Sequence, residues 1–285
     1  MKRKPLADGA KHLVFSHGNG FPGGSYRLLI DAWERAGWSV HAIDRFGHDA
    51  RFSVTSNWPN LRDELIEAVQ QQAQLANARI MLVGHSLGGL LSLMAASKRP
   101  DLVQGLVMLD SPVVSGWRAH SLHMAKATRL IQRVSPAKVA VRRRHEWPDR
   151  AAVLQHFAAK HVFARWDARA LAAYVDAGFE EVDGKTVLRF KREVEARIYN
   201  TLPHQFDEML RQHPLQCPCA FIGGTKSVEL RQGGTSSARA LAKQHFVWFE
   251  GSHLYPFERP DDTAALVLEL MKSLQRERGI AHPSI

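Results

Sequence analysis

Two patterns of apolar and polar positions alternate along the chain, one typical of strands and one typical of helices. Six short apolar runs, several containing Val or Ile, are typical of buried β-strands: His12–Ser16, Val40–Ile43, Ile80–Val83, Leu106–Leu109, Ala220–Ile222 and Phe246–Phe249. Apolar residues recur at three and four positions, as in amphipathic helices, in Ser25–Ala36, Leu61–Ala76, Leu87–Arg99, Ser236–Gln244 and, after Pro260, Asp261–Gln275. The alternation predicts an α/β fold, with a mostly parallel, doubly wound sheet of about six strands covered by helices.

One interval, residues 112–214, interrupts this alternation. Its helical patterns lie around 119–134, 149–160 and 167–177, and a hairpin is predicted from Phe179–Val182 and Lys185–Phe190, joined by Asp-Gly. An insertion of about 100 residues is too long for an unstructured loop in a compact domain. We therefore expect a mainly helical lid at 112–214 and a core formed by 1–111 and 215–285.

Composition places the chain among ordinary globular proteins, with 45% hydrophobic and 23% charged residues out of 285. Its two cysteines, Cys217 and Cys219, are too close together to staple a fold. We expect them to be small packing groups in a reducing compartment. No stretch approaches the ~18 apolar residues of a membrane span, and the basic start lacks the apolar run of a signal peptide. These features predict a cytoplasmic protein without a membrane span.

The formal net charge of +10 favours anionic partners. Between Trp117 and Arg150 there are nine Lys or Arg residues against two acidic ones. The run Arg142–Arg144 has two interpretations: it steers an anionic ester or thioester, or it is a solvated helix face. Aromatic residues in the same interval either line a substrate pocket or pack the lid onto the core; they are Trp117, Trp147, Phe157, Phe163, Trp166 and Tyr174.

The sharpest motif is Gly84-His85-Ser86-Leu87-Gly88-Gly89, between a predicted strand and a predicted helix. A serine exposed on such an elbow needs strained backbone, and glycines at 84 and 88 remove side chains where strand and helix converge. The N-terminus of the following helix favours a developing anion. Ser86 is therefore the candidate nucleophile. The alternative is a serine that caps the helix in a tight turn.

A serine nucleophile needs a base, and His253 is the candidate among 15 histidines. It follows the last predicted strand and precedes the closing helix, at the sheet edge where open α/β sheets place their ligands. A structural histidine is the alternative there.

A glycine turn, Ser16–Gly20, follows the first predicted strand. The backbone NH groups of Asn19 and Leu87 could form an oxyanion hole for a tetrahedral intermediate. The alternative is a glycine-rich turn in which His17 bonds the backbone, and both can hold together.

These motifs, in this order, resemble the α/β-hydrolase superfamily from His12 to Gln275. Asp44-Arg45-Phe46-Gly47 resembles the D-x-x-G turn of that family, and Glu258-Arg259-Pro260 resembles the segment after its catalytic histidine. The interval 112–214 falls where the family places its lid. Only about ten residues precede the first predicted strand, which leaves little room for the usual N-terminal antiparallel pair and favours six strands.

The acid that orients the histidine departs from the usual family pattern. The expected aspartate position aligns with Ser227, but some relatives carry the acid one strand earlier, where this chain has Asp110-Ser111-Pro112. The segment resembles a subset of small esterases with a D-x-x-P or D-x-P sequence. We predict Asp110 as the acid, with Glu229 as the alternative. Asp110 could instead cap the first lid helix, and Glu229 could be a solvated loop charge.

The resemblance implies a serine hydrolase that cleaves small carboxylic esters or thioesters through an acyl-enzyme on Ser86. The acyl substrate could be anionic. Two alternatives remain: a carbon–carbon bond hydrolase of ring-cleavage diketones, and a non-catalytic ligand-binding protein on the same scaffold. A haloalkane dehalogenase needs a carboxylate where Ser86 stands. No zinc-ligand spacing and no Walker A sequence is present, so no metal or cofactor is expected. No nucleic-acid partner is expected.

Overall fold

A computed structural model describes Leu6, residues 8–114 and residues 136–281. A central sheet of six parallel strands runs through the molecule in the order β2-β1-β3-β4-β8-β9. These strands are β1 (His12–Ser16), β2 (Ser39–Ala42), β3 (Ile80–His85), β4 (Val103–Leu109), β8 (Cys219–Gly224) and β9 (Phe246–Phe249). The prediction of a mostly parallel sheet of about six strands is confirmed.

Helices cover both faces of this sheet. Those outside the interval between β4 and β8 are α1 (Arg27–Arg35), α2 (Pro59–Ala76), α3 (Leu87–Lys98), α9 (Val228–Gly233), α10 (Ser236–Ala242), α11 (Tyr255–Glu258) and α12 (Pro260–Ala281). A 3-10 turn at Gly23–Tyr26 leads into α1, so the α-helix starts two residues later than the predicted Ser25.

Alternate residues of each strand enter opposite cores. In β3, Ile80 and Leu82 pack beneath α2 and α3, whereas Met81 and Val83 pack beneath α1 and α12. All six residues of β3 and all seven of β4 are buried, as expected for central parallel strands covered on both faces. Parallel strands aligned in this way bring their carboxyl ends to one edge, where Ser86 and Asp110 follow β3 and β4.

The chain between β4 and β8 forms a separate set of small elements. They are α4 (Ala137–Arg142), β5 (Glu146–Trp147), α5 (Arg150–Ala158), α6 (Ala168–Gly178), β6 (Phe179–Val182), β7 (Lys185–Leu188), α7 (Arg192–Asn200) and α8 (Phe206–Gln212). The predicted hairpin is present as β6 and β7, and β5 adds a third antiparallel strand in the order β5-β7-β6. Sequence patterns missed α4, β5, α7 and α8, and the predicted helix at 119–134 lies outside the described residues.

Aromatic packing ties this inserted interval to the core. Trp166 stacks on Phe257, with ring centroids 4.1 Å apart and an interplanar angle of 10°. Beside this pair, the Asp167 N–H donates to the Phe257 carbonyl at 2.9 Å. Five of the six aromatic residues singled out in the sequence lie in or against the core beneath α1 and α12: Trp147, Phe157, Phe163, Trp166 and Tyr174. Trp117 falls outside the described residues.

The basic run of the insertion divides into a partly buried member, Arg143, and exposed ones. Arg143 donates to the Glu195 carboxylate at 2.8 Å and to the Tyr174 hydroxyl at 2.9 Å. The free-energy cost of removing the Arg143 guanidinium from water is offset because Glu195 supplies the opposite charge and both Glu195 and Tyr174 accept its hydrogen bonds. Arg142 and Arg144 are exposed.

The two cysteines lie in the interior of the protein. Cys217 and Cys219 are free and buried, and burial raises the pKa of the Cys217 thiol to about 12. A thiol with so high a pKa carries little nucleophilic thiolate at neutral pH.

Among the residues that the structure describes, no helix has the length and apolar character needed to cross a membrane.

Candidate active site

Ser86 stands on a strained turn between β3 and α3. Its backbone has φ 53° and ψ −115°, a left-handed conformation that non-glycine residues adopt only under local constraint. A Cβ at position 84 would collide with the Gly88 backbone, and one at 88 would collide with the Ser16 carbonyl. The two glycines therefore let α3 start directly at the end of β3. This packing holds the Ser86 side chain above the sheet edge.

Three predicted side chains form one hydrogen-bonded chain at this edge. The Ser86 Oγ lies 2.9 Å from His253 Nε2. The other ring nitrogen of His253, Nδ1, lies 3.0 Å from Asp110 Oδ1. Because an ionised carboxylate only accepts, Nδ1 carries the proton and Nε2 is free to accept one from Ser86. This is the tautomer that general-base activation of a serine requires.

Asp110 is fixed in place by its own hydrogen bonds. Its side chain is fully buried, and its carboxylate accepts from the Gly224 N–H at 2.6 Å and from the Ser227 Oγ–H at 2.7 Å. The residue has φ 42°, which Asp tolerates better than most side chains do. Ser227, which aligns with the usual acid position of the family, here donates a hydrogen bond to the carboxylate that follows the neighbouring strand.

Glu229 lies farther from the imidazole. Its Oε2 is 4.0 Å from His253 Nδ1, and its side chain is 48% exposed. The residue belongs to the first turn of α9 and not to a loop, but its charge is solvated, as the alternative interpretation expected. Both carboxylates therefore lie near His253, but Asp110 makes the shorter and more buried contact.

The charge around His253 favours its protonated form. Burial of the imidazole opposes protonation, but the hydrogen bond and charge of Asp110, together with the charge of Glu229, outweigh it and raise the pKa of His253 above 6.5. A histidine whose pKa is raised above 6.5 is suited to proton transfer near neutral pH.

The loop that carries His253 is braced by Glu258. The Ser252 N–H donates to Glu258 Oε2 at 3.0 Å, and the Ser252 hydroxyl donates to Oε1 at 2.6 Å. The Leu254 N–H in turn donates to the Ser252 hydroxyl. Glu258 therefore holds Ser252 in place, and Ser252 in turn holds Leu254, so the residues on both sides of His253 are fixed.

The turn after β1 is fixed by a neutral histidine. His17 is buried, and its Nδ1–H donates to the Gly18 carbonyl at 2.8 Å while its Nε2 accepts from the Phe46 N–H at 2.9 Å. Burial lowers the pKa of His17 to about 4. The Asn19 side chain donates to the Glu195 carbonyl on α7. Asn19 and Leu87, the predicted donors of an oxyanion hole, both border the cavity that contains Ser86.

A second buried histidine links this turn to the base. The Gly18 N–H donates to the Tyr26 hydroxyl at 3.1 Å, and this hydroxyl lies 2.7 Å from His85 Nδ1. On its other side, His85 Nε2 lies 2.9 Å from the His253 carbonyl. Burial lowers the pKa of His85 well below 6.5, so its ring is neutral, with the proton on Nε2. Sequence analysis did not assign a role to His85 or Tyr26.

A cavity of about 540 Å³ opens beside Ser86 and His253; we call it the catalytic cavity. Its apolar wall includes Trp58, Leu87, Leu90, Ile198, Leu202 and Phe206. The aromatic residues Trp147, Phe157, Phe163, Trp166 and Tyr174 do not border it. Elements α7 and α8 of the insertion therefore supply wall residues that the sequence patterns did not indicate.

Few charged side chains border the catalytic cavity among the described residues. Among the described residues that line it, Glu229 is the one carboxylate and no Lys or Arg is present. Within the same described ranges, no group of three or more His, Cys, Asp or Glu side chains could hold a metal ion. The arrangement places the Ser86 hydroxyl and the His253 imidazole at the border of a pocket whose wall is mainly apolar.

Comparisons with known proteins agree with the fold. The chain is 35% identical over 107 residues to a probable esterase, PIR7A, of Oryza sativa subsp. indica, covering 36% of this chain and 40% of that protein. It is 30% identical over 131 residues to the monoglyceride lipase of Rattus norvegicus, covering 44% and 43%. The matches thus span less than half the length of these curated relatives.

A solved structure extends the likeness over nearly the whole chain. The structure of E-2-(acetamidomethylene)succinate hydrolase superimposes with a TM-score of 0.69 at 20% identity, over 94% of this chain and 93% of that one. At this identity the likeness concerns the fold alone. Residues 13–266 match the sequence model described as the alpha/beta hydrolase family. The chain therefore belongs to the alpha/beta hydrolase family.

Proposed function

We propose that this protein is a serine hydrolase that cleaves carboxylic esters through an acyl-enzyme on Ser86. The observation that carries the proposal is the chain of contacts from Ser86 Oγ to His253 Nε2 at 2.9 Å and from His253 Nδ1 to Asp110 Oδ1 at 3.0 Å. A serine hydroxyl is a weak nucleophile until an adjacent base takes its proton. This geometry supports His253 as that base, with Nε2 as the atom that takes the proton.

Acylation begins when Ser86 Oγ attacks the acyl carbonyl carbon and its proton passes to His253 Nε2. The imidazolium is stabilised by Asp110, which keeps its negative charge. The oxyanion of the tetrahedral intermediate accepts hydrogen bonds from the backbone NH groups of Asn19 and Leu87, and the N-terminus of α3 adds favourable electrostatics. When the intermediate collapses, the leaving alkoxide takes the proton from His253 and departs as the alcohol.

Deacylation repeats the same steps with water as the nucleophile. His253 Nε2 removes a proton from water as the oxygen attacks the acyl-enzyme carbonyl. Collapse of the second intermediate returns the proton to Ser86 Oγ and releases the carboxylic acid. A thioester would follow the same path with a thiol as leaving group.

The insertion at 112–214 acts in this proposal as a lid over the sheet edge. Its helices α7 and α8 contribute Ile198 and Phe206 to the wall of the catalytic cavity. The similarity to a probable esterase and a lipase supports ester substrates.

The alternative of a carbon–carbon bond hydrolase receives less support from the cavity. The alternative envisages a lid pocket that recognises a carboxylate, and no Lys or Arg is found among the described residues bordering the catalytic cavity. Glu229 at its border would repel an anionic group instead. The same charge makes neutral esters better substrates than anionic ones.

A substrate panel tests the proposed function. We expect measurable hydrolysis of p-nitrophenyl butyrate and no turnover of a vinylogous ring-cleavage diketone, because the cavity has an apolar wall and lacks a cationic group among its described residues. The rates are measured by release of p-nitrophenolate and by loss of diketone absorbance. Turnover of the diketone with no hydrolysis of any ester would overturn the assignment.

The pH profile of kcat/KM provides a second test. Hydrolysis needs the neutral imidazole, so kcat/KM falls as pH drops through the pKa of His253, and the midpoint of this limb should lie above 6.5. Because the charge of Glu229 contributes to raising this pKa, Glu229→Gln should move the midpoint to lower pH. A midpoint at or below 6.5, or one that Glu229→Gln leaves in place, would contradict the proposed electrostatics.

A further inference from the structure

We propose that Phe206 sets the acyl-chain length of the substrate by separating the catalytic cavity from a second cavity. This inference rests on the proposed ester hydrolysis and adds a specificity-determining residue to it. The substrates it assigns are neutral esters with short to medium acyl chains, whose ends stop at the Phe206 ring.

The second cavity has a volume of about 410 Å³ and adjoins the first. Two residues, Pro203 and Phe206, border both cavities. Both are buried, and the Phe206 side chain is only 2% exposed. Among the described residues, the wall that the two spaces share therefore includes a proline ring and a phenyl ring at the start of α8.

Helix α3 forms a continuous floor beneath both cavities. Leu87 and Leu90 border the catalytic cavity, and Met94 and Lys98 border the second one. With a rise of 1.5 Å per residue, Met94 lies about 12 Å along the helix axis from Ser86. An acyl chain attached to Ser86 and lying along α3 therefore points at the second cavity and meets Phe206 before it arrives there.

The walls differ in polarity on the two sides of the partition. The catalytic cavity is mainly apolar, whereas the second cavity mixes apolar side chains such as Met209 with charged ones such as Arg62 and Glu208. An apolar chain gains free energy by leaving water for the first wall. Entry into the second cavity would still bury methylene groups against Met94 and Met209 once the partition is removed.

The test measures kcat/KM of the wild-type protein and of Phe206→Leu with three substrates, p-nitrophenyl butyrate, octanoate and dodecanoate. We expect the ratio of kcat/KM for dodecanoate to that for butyrate to rise at least about tenfold in the variant, the scale on which apolar pockets discriminate methylene groups. Phe206→Met, which is flexible and nearly conserves volume, should shift the ratio in the same direction and guards against failure to fold. Thermal unfolding and far-UV circular dichroism report the folded state of each variant.

Two further variants separate opening of the partition from general enlargement. Leu202→Ala enlarges the catalytic cavity without touching the second one, and it should not reproduce the rise in the ratio. Met209→Phe, placed in the Phe206→Leu background, puts a bulkier ring at the border of the second cavity and should lower the ratio toward the wild-type value.

The outcomes distinguish this inference from the proposed function. If wild-type protein hydrolyses the esters but folded Phe206→Leu and Phe206→Met keep the wild-type ratio, the partition role is wrong while the ester hydrolase stands. An equal rise in Leu202→Ala, or no reversal by Met209→Phe, would also overturn it. If neither wild-type protein nor any variant hydrolyses an ester, the proposed function itself fails.

Discussion

Replacing Ser86 with alanine should abolish ester hydrolysis, with a loss of kcat on the order of 10⁶-fold, as for removal of the nucleophile in a serine protease. The substitution removes the one oxygen that would form the acyl bond. Its contact with His253 is the hydrogen bond that is lost, so the fold and its thermal unfolding should be nearly unchanged. Initial rates with p-nitrophenyl butyrate measure the effect.

An exposed serine provides the matched control for this substitution. Ser236 lies at the start of α10 and is solvent-exposed, so Ser236→Ala should retain wild-type turnover. If folded Ser86→Ala keeps wild-type rates, another group must be the nucleophile.

Asp110→Asn should lower kcat by about 10⁴-fold, as the equivalent change does in serine proteases. The Gly224 N–H can only donate, so it selects the amide oxygen of an asparagine at 110 and leaves the amide NH₂ facing His253 Nδ1. An NH₂ group there places the histidine proton on Nε2, facing Ser86. The imidazole then cannot accept the serine proton. Asn also tolerates the positive φ of this position, so folding should be preserved.

Glu229→Gln is the matched control for the acid. Glu229 is 48% exposed and 4.0 Å from the imidazole, and solvent screens such contacts. On the alkaline side of the acid limb its kcat should stay within a few-fold of wild type, measured beside Asp110→Asn. A large loss in Glu229→Gln with activity retained in Asp110→Asn would assign the acid to Glu229 instead.

Hydrophobic periodicity predicted the central sheet well. The bounds of β1 and β9 agree with the predicted runs, since both are apolar segments bounded by turns. The predicted β3 ended too early because Gly84 and His85 were interpreted as part of the turn, although both remain in the strand. The physical reason is that a glycine beside a close helix contact weakens the apolar pattern without ending the ladder.

The insertion was predicted less completely because its elements are short or polar on average. Strand β5 has two residues, too few to show a period. Helix α7 contains four charged residues and buries only Glu195, Ala196 and Ile198. Its position depends on contacts made by Glu195, which accepts from Arg143 more than fifty residues away in sequence. Such contacts follow from the tertiary fold and leave no local pattern.

The candidate site shows the same division between local and distant information. Ser86 and His253 stand in local motifs that could be predicted, and the structure brings them together. The supporting contacts from Ser227 to Asp110 and from Tyr26 to His85 join residues 117 and 59 positions apart. Neither pair forms a sequence motif, so the hydrogen bonds behind the site could only be assigned once the sheet order was known.

The most direct test of the account is where a fluorophosphonate attaches to the folded protein. Labelling followed by proteolysis and mass spectrometry should find a single phosphonylated residue, Ser86, with the adduct absent from Ser86→Ala and formed far more slowly in Asp110→Asn. An adduct on a different residue, or labelling that persists unchanged in Ser86→Ala, would contradict the claim that His253 and Asp110 activate this hydroxyl.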